Sequence, residues 1–105
     1  MARIFDGRVR PDEVLVDIGC GRGRVLNHWL THHPGQRIVG LELDAEVARS
    51  TAHRLRKHPN CEVLAGDAVA NLPADGTLFY LYNPFGPDDV ARLRDRLPAA
   101  AHSFS

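Results

Sequence analysis

The residues able to do chemistry fall in four short clusters, each just past an apolar run. Asp17-Ile18-Gly19-Cys20-Gly21-Arg22-Gly23 sets an acid ahead of three glycines at alternate positions. Glycines let a chain turn sharply and approach a ligand closely, because no Cβ intervenes. Glu42 ends the next apolar run, near the ~20-residue offset at which an acid accepts hydrogen bonds from ribose hydroxyls. Gly66-Asp67-Ala68 offers a carboxylate that could accept from an exocyclic amine such as adenine N6. Asn83-Pro84-Phe85 brings an amide carbonyl for a substrate N–H, a stiff turn, and a ring that could stack on a flat substrate.

Two phosphate-binding patterns compete for the first cluster, and both fail. The dinucleotide fingerprint needs glycine at the first, third and sixth positions of the turn, and the sixth is Arg24. Asp17 would also push a carboxylate toward a pyrophosphate. No Gly-Lys-Ser/Thr comes after the turn, so there is no Walker loop. An acid in this place suits a ligand with a cationic amine. The free N–H groups of the next helix would suit an anionic group.

The elements that must position these clusters alternate along the chain. Glu13 to Ile18 is a β-branched run, apolar on consecutive positions, as in a strand buried on both faces. Val25, Leu26, Trp29 and Leu30 recur at helical spacing until Pro34-Gly35. Arg37 to Leu43 reads as a second strand, with Asp44 as N-cap of a helix carrying Val47, Ala48, Thr51, Ala52 and Leu55 on one face. Cys61 to Ala65 is a third strand. A loop through Pro73 and Asp75-Gly76 leads to a fourth, Thr77 to Tyr82, and Asp88 to Leu97 reads as a last helix. The tail from Ala99 to Ser105 is too weakly patterned to assign. Such alternation predicts an α/β fold, a Rossmann-like open parallel sheet with right-handed crossovers and flanking helices, in one domain over residues 1–105.

This series resembles the class I S-adenosylmethionine-dependent methyltransferases. Val14 to Gly23 is similar to their first motif, Ile38 to Asp44 to the second, Gly66-Asp67-Ala68 to the third, and Tyr82-Asn83-Pro84-Phe85 to the fourth. The resemblance runs from about Glu13 to Gly86 and implies S-adenosylmethionine as cofactor. By position it implies that Asp17, Gly19, Cys20, Gly21 and Gly23 hold the methionine part. Glu42 would bind the ribose, Leu43 would pack on the adenine, and Asp67 and Ala68 would contact its edge. Asn83, Pro84 and Phe85 would lie near the transferred methyl group and position the acceptor. Members that methylate planar amino nitrogens carry a second proline that is missing here, which argues against amino-group methylation. The family sheet has seven strands in the order 3-2-1-4-5-7-6. The four strands read here give 3-2-1-4, truncated, with the fourth as an open apolar edge. A bare edge of that kind is an aggregation hazard. A fragment, a half that needs a partner chain, or a homodimer that completes its own sheet would each account for it.

The remaining features read blandly. With 105 residues, 44% apolar, 25% charged and zero formal net charge, nothing pulls the chain toward nucleic acid or an acidic membrane. No apolar run approaches the ~20 residues of a membrane span, and the start has no signal-peptide pattern. Cys20 and Cys61 make neither a disulfide framework nor a zinc pattern, so a cytoplasmic, reduced protein is expected. His32-His33 complement a helix dipole, and no metal site is expected. Arg49, Arg54, Arg56 and Lys57 read as a solvated helix face. The function expected is methyl transfer to an unidentified acceptor. The alternatives are a non-catalytic half-domain that binds the cofactor, its demethylated product or a partner, and, less favoured, an NAD-dependent oxidoreductase.

Overall fold

The computed structural model describes residues 9–81 and 102–104. The elements in chain order are β1 (Leu15–Ile18), α1 (Arg24–His32), β2 (Ile38–Glu42), α2 (Ala45–Arg54), β3 (Cys61–Ala65), α3 (Ala68–Asn71), β4 (Leu78–Leu81) and β5 (His102–Phe104). Among the described residues all four strand pairings are parallel, and the sheet order is β3-β2-β1-β4-β5. The 3-2-1-4 order expected from the sequence is present within it.

The fifth strand corrects one expectation. Leu78, Phe79 and Tyr80 pair with His102, Ser103 and Phe104, so β4 is not an open edge at these positions. A three-residue strand is too short for any side-chain period to register, which is why the tail carried no signal. The case for a partner chain covering β4 loses its premise there. α3 is likewise a single turn inside what reads as a loop. The segment expected to form the last helix, Asp88 to Leu97, lies outside the described residues.

β1 is buried at all of its positions, and β2 at all but Glu42. This is what consecutive apolar residues require when helices cover both faces of a parallel sheet. Strand alternation divides the core in two. Leu15, Ile38, Leu78 and Tyr80 face Leu26 and Trp29 of α1 and Leu55 after α2. Val16, Ile18, Val39, Leu41 and Phe79 face the other side, where Leu64, Ala68 and Leu72 pack. Trp29 is 1% exposed and meets Tyr80 edge-on, with ring centroids 6.4 Å apart. Burying side chains such as Leu26 or Phe79 stabilises the fold by about 1.5–3 kcal/mol each. Asp44 caps α2 as expected, its Oδ1 accepting from Glu46 N–H at 2.9 Å and Val47 N–H at 3.2 Å. Among the described residues no helix is long and apolar enough to cross a membrane.

Candidate functional site

β1, β2 and β3 run side by side in one direction, so the loops that leave their carboxyl ends gather at one end of the sheet. β1 lies between β2 and β4, the point where the chain reverses its direction of winding and where open α/β sheets leave a crevice. The glycine turn sits there. Gly19, Gly21 and Gly23 have φ of +81°, +53° and +88°, a region that a side chain disfavours. The N–H groups of Gly19 and Cys20 both donate to the Leu41 carbonyl, at 2.8 and 2.9 Å, strapping the turn to the end of β2.

Gly21 is held from two sides. Its N–H donates to Glu42 Oε1 at 2.9 Å, and its carbonyl accepts from Thr51 Oγ1 at 2.7 Å. The second oxygen of Glu42 accepts from Asp44 N–H at 2.9 Å, so this carboxylate ties the turn to the start of α2. Among the described residues, no atom beyond its chain neighbours lies within 4 Å of where a Cβ on Gly21 would stand, which suits the close approach of a ligand on that side of the turn. Gly23, the N-cap of α1, supplies no side-chain cap, so the first N–H groups of the helix can serve an anionic group.

Asp17 lies at the base of the turn, 2% exposed, in register with Gly40 on β2 and Tyr80 on β4. A Cβ on Gly40 would stand 2.8 Å from Leu26 Cδ1 and 2.9 Å from Cys20 Sγ, so this position is glycine for close packing. Asp17 Oδ1 is buried with no hydrogen-bond partner among the described residues. Burial, and after it the charge of Glu42, push the Asp17 carboxyl from 3.8 up to about 7. A buried oxygen left unsatisfied costs stability, and an approaching cation would offset that cost.

Leu43 is 76% exposed, the one large apolar side chain so exposed among the described residues. Next to Glu42, it offers an apolar plate for a flat ring. Beyond β3, Gly66 N–H donates to the Glu42 carbonyl at 2.9 Å, which brings exposed Asp67 and half-buried Ala68 to the same end of the sheet. The structure thus gathers Asp17, Gly19, Cys20, Gly21, Gly23, Glu42, Leu43, Asp67 and Ala68 along the ends of three adjacent strands. Asn83, Pro84 and Phe85 lie outside the described residues.

Cys20 is not set up as a nucleophile. Burial foremost, with the charges of Asp17 and Glu42, pushes its thiol up to about 12. Its side chain fills space against Gly40. Among the described residues no cluster of three His, Cys, Asp or Glu could hold a metal ion.

Sequence reasoning missed Thr51 and Arg54. It set Thr51 on an apolar face and Arg54 on a solvated one. Arg54 Nη2 instead donates to the Arg22 carbonyl at 2.8 Å and to Thr51 Oγ1 at 3.2 Å. The available signal was a threonine on the core side of a helix, whose hydroxyl needs an acceptor once it is buried. A cavity of about 430 Å³ beside the turn is lined by Arg22, Glu46, Val47, Ser50, Thr51 and Arg54.

The methyltransferase-domain family matches residues 15–85. The chain belongs to the class I S-adenosylmethionine-dependent methyltransferases. Among curated relatives, it is 44% identical over 45 residues to ribosomal RNA small subunit methyltransferase H of Nocardia farcinica (strain IFM 10152), covering 43% of this chain and 14% of that protein. It is 33% identical over 76 residues to tRNA (guanine-N(7)-)-methyltransferase of Brevibacillus brevis (strain 47 / JCM 6285 / NBRC 100599), covering 69% of this chain and 36% of that protein. Among solved structures, an RNA methyltransferase from Salinibacter ruber in complex with S-adenosyl-L-homocysteine superposes with a TM-score of 0.66 at 27% identity, covering 79% of this chain and 54% of that one. The mitomycin 7-O-methyltransferase MmcR superposes with a TM-score of 0.73 at 29% identity, covering 95% and 30%. This methyltransferase chain therefore spans well under two thirds of the length of the curated relatives it matches. Its fold is the Rossmann-like sheet of the family, and the cofactor of the family is S-adenosylmethionine.

Proposed function

We propose that this chain forms the cofactor-holding part of an enzyme that transfers a methyl group from S-adenosylmethionine to an acceptor. The observation that carries the reading is the buried Asp17 carboxyl at the base of the glycine turn, its Oδ1 without a hydrogen-bond partner among the described residues. A cationic amine reaching Asp17 would supply the missing partner. The uncapped start of α1 would receive the carboxylate of the same amino acid moiety. Glu42 would take the ribose hydroxyls, for which each of its oxygens has lone pairs beyond those used by Gly21 and Asp44. Leu43 would lie against the adenine, with Asp67 and Ala68 at its edge. When bound, the cofactor supplies the activated methyl group on its sulfonium, so the chain's contribution is orientation rather than an acid–base dyad. Asn83, Pro84 and Phe85 would stand at the acceptor side.

A second reading is a half-domain that binds the cofactor without turnover. Both readings require the same site, and only turnover separates them. A reduced, cytoplasmic setting suits either, since Cys20 and Cys61 are free thiols.

Binding competition tests the site. S-adenosylhomocysteine should bind and should not be displaced by NAD. Displacement by NAD would return the chain to the oxidoreductase alternative.

A further inference from the structure

Thr51 is absent from every motif that marks the cofactor site, yet it holds the centre of the glycine turn. Its side chain is 0% exposed, its hydroxyl donates to the Gly21 carbonyl at 2.7 Å, and its methyl group lies 3.1 Å from where a Cβ on Gly23 would stand. Arg54, one turn further along α2, reaches the next carbonyl, that of Arg22, and touches the same hydroxyl. The Gly21 N–H is held by Glu42 on the other side of the residue. The two holds differ in one respect. Glu42 is the residue that ribose hydroxyls would engage, so its hold on Gly21 would be shared with a bound ligand. The Thr51 hydroxyl comes from the buried side of α2 and holds the carbonyl, a group that the ribose would not engage.

We propose that Thr51, supported by Arg54, is a positioning residue for the cofactor, keeping the Gly21–Arg22 backbone in its binding geometry while Glu42 is shared with the ligand. The inference rests on the cofactor site proposed above. It makes α2 a working part of that site, although none of the sequence motifs includes a residue of that helix.

Two substitutions separate the hydrogen bond from the packing. Thr51→Val keeps the methyl group against Gly23 and removes the hydroxyl. Thr51→Ser does the reverse. S-adenosylhomocysteine affinity is measured by titration calorimetry on the full chain, and thermal unfolding is followed alongside. Thr51→Val should bind about tenfold more weakly, the worth of one buried hydrogen bond to a carbonyl. Thr51→Ser should bind like wild type even if it unfolds at a lower temperature. Arg54→Met removes only an exposed side chain and should weaken binding a few-fold; it keeps the test open if Thr51→Val does not fold. A folded Thr51→Val that binds as tightly as wild type overturns the positioning role, as does unchanged binding by Arg54→Met where Thr51→Val is unfolded. Absence of binding by the wild type overturns the proposed site itself, and the role of Thr51 with it.

Discussion

Replacing Asp17 by asparagine should make the protein more stable at alkaline pH, an unusual result for a residue at the centre of a binding site. The wild-type carboxyl is raised from 3.8 to about 7 in the fold. The folded chain therefore holds a proton that the unfolded chain has released over the interval between those values. Stability falls with rising pH wherever the native state binds more protons. Asp17 thus contributes no penalty below about 3.8, and the penalty grows as pH rises until it is complete above about 7. A rise of this size corresponds to about 4 kcal/mol, large beside a typical total of about 5–15 kcal/mol. An asparagine side chain has the same shape and no charge to desolvate. Urea unfolding of both proteins at pH 5 and pH 8.5 isolates the effect, because the histidines titrate alike in both and cancel in the difference. Wild type should lose about 2–3 kcal/mol relative to Asp17→Asn between those conditions, the part of the penalty not yet present at pH 5. Equal pH dependence in the two proteins would refute the claim that burial raises the Asp17 carboxyl. The same linkage makes ligand binding pH-dependent. An amine that favours the ionised carboxyl should bind more tightly as pH rises through about 7, and Asp17→Asn should flatten that rise.

Gly40→Ala would drive a methyl group to 2.8 Å from Leu26 Cδ1 and 2.9 Å from Cys20 Sγ; overpacking of this kind should cost about 1–3 kcal/mol in denaturant unfolding. Leu43→Ser removes an apolar side chain that is 76% exposed, so thermal stability should hold while S-adenosylhomocysteine affinity falls several-fold by calorimetry. Cys20, with its thiol pushed up to about 12, should resist a disulfide reagent at pH 8 until the chain is unfolded in urea.

The legible parts of this protein are those whose signal is local. Val14 to Gly23 declares a buried strand that ends in a turn only glycine can make, and Gly19, Gly21 and Gly23 do take positive φ. Asp44 ahead of a periodic run declares a capped helix, and the cap is present. What the sequence concealed depends on contacts across the fold. β5 is three residues long and is defined by its partner rather than its pattern. The hydroxyl of Thr51 looks like one more core position until Gly21, thirty residues earlier, is seen to lie beside it. The sequence pointed to Glu42 as a ligand for ribose, and nothing in it showed that the same carboxylate braces the turn through Gly21 and Asp44. Asp17 was placed by its motif, but its burial and missing partner arise only from the way β2 and β4 flank it.

That double duty of Glu42 makes it the most direct test of the central claim. Titration calorimetry with S-adenosylhomocysteine is run on wild type and on Glu42→Ala, with circular dichroism to verify that both are folded. The substitution removes the ribose acceptor and frees Gly21 N–H, so binding should weaken by about 2–4 kcal/mol, roughly thirty- to thousand-fold. Folded wild-type protein that does not bind, or a Glu42→Ala variant that binds equally well, would contradict the assignment of this end of the sheet as the cofactor site.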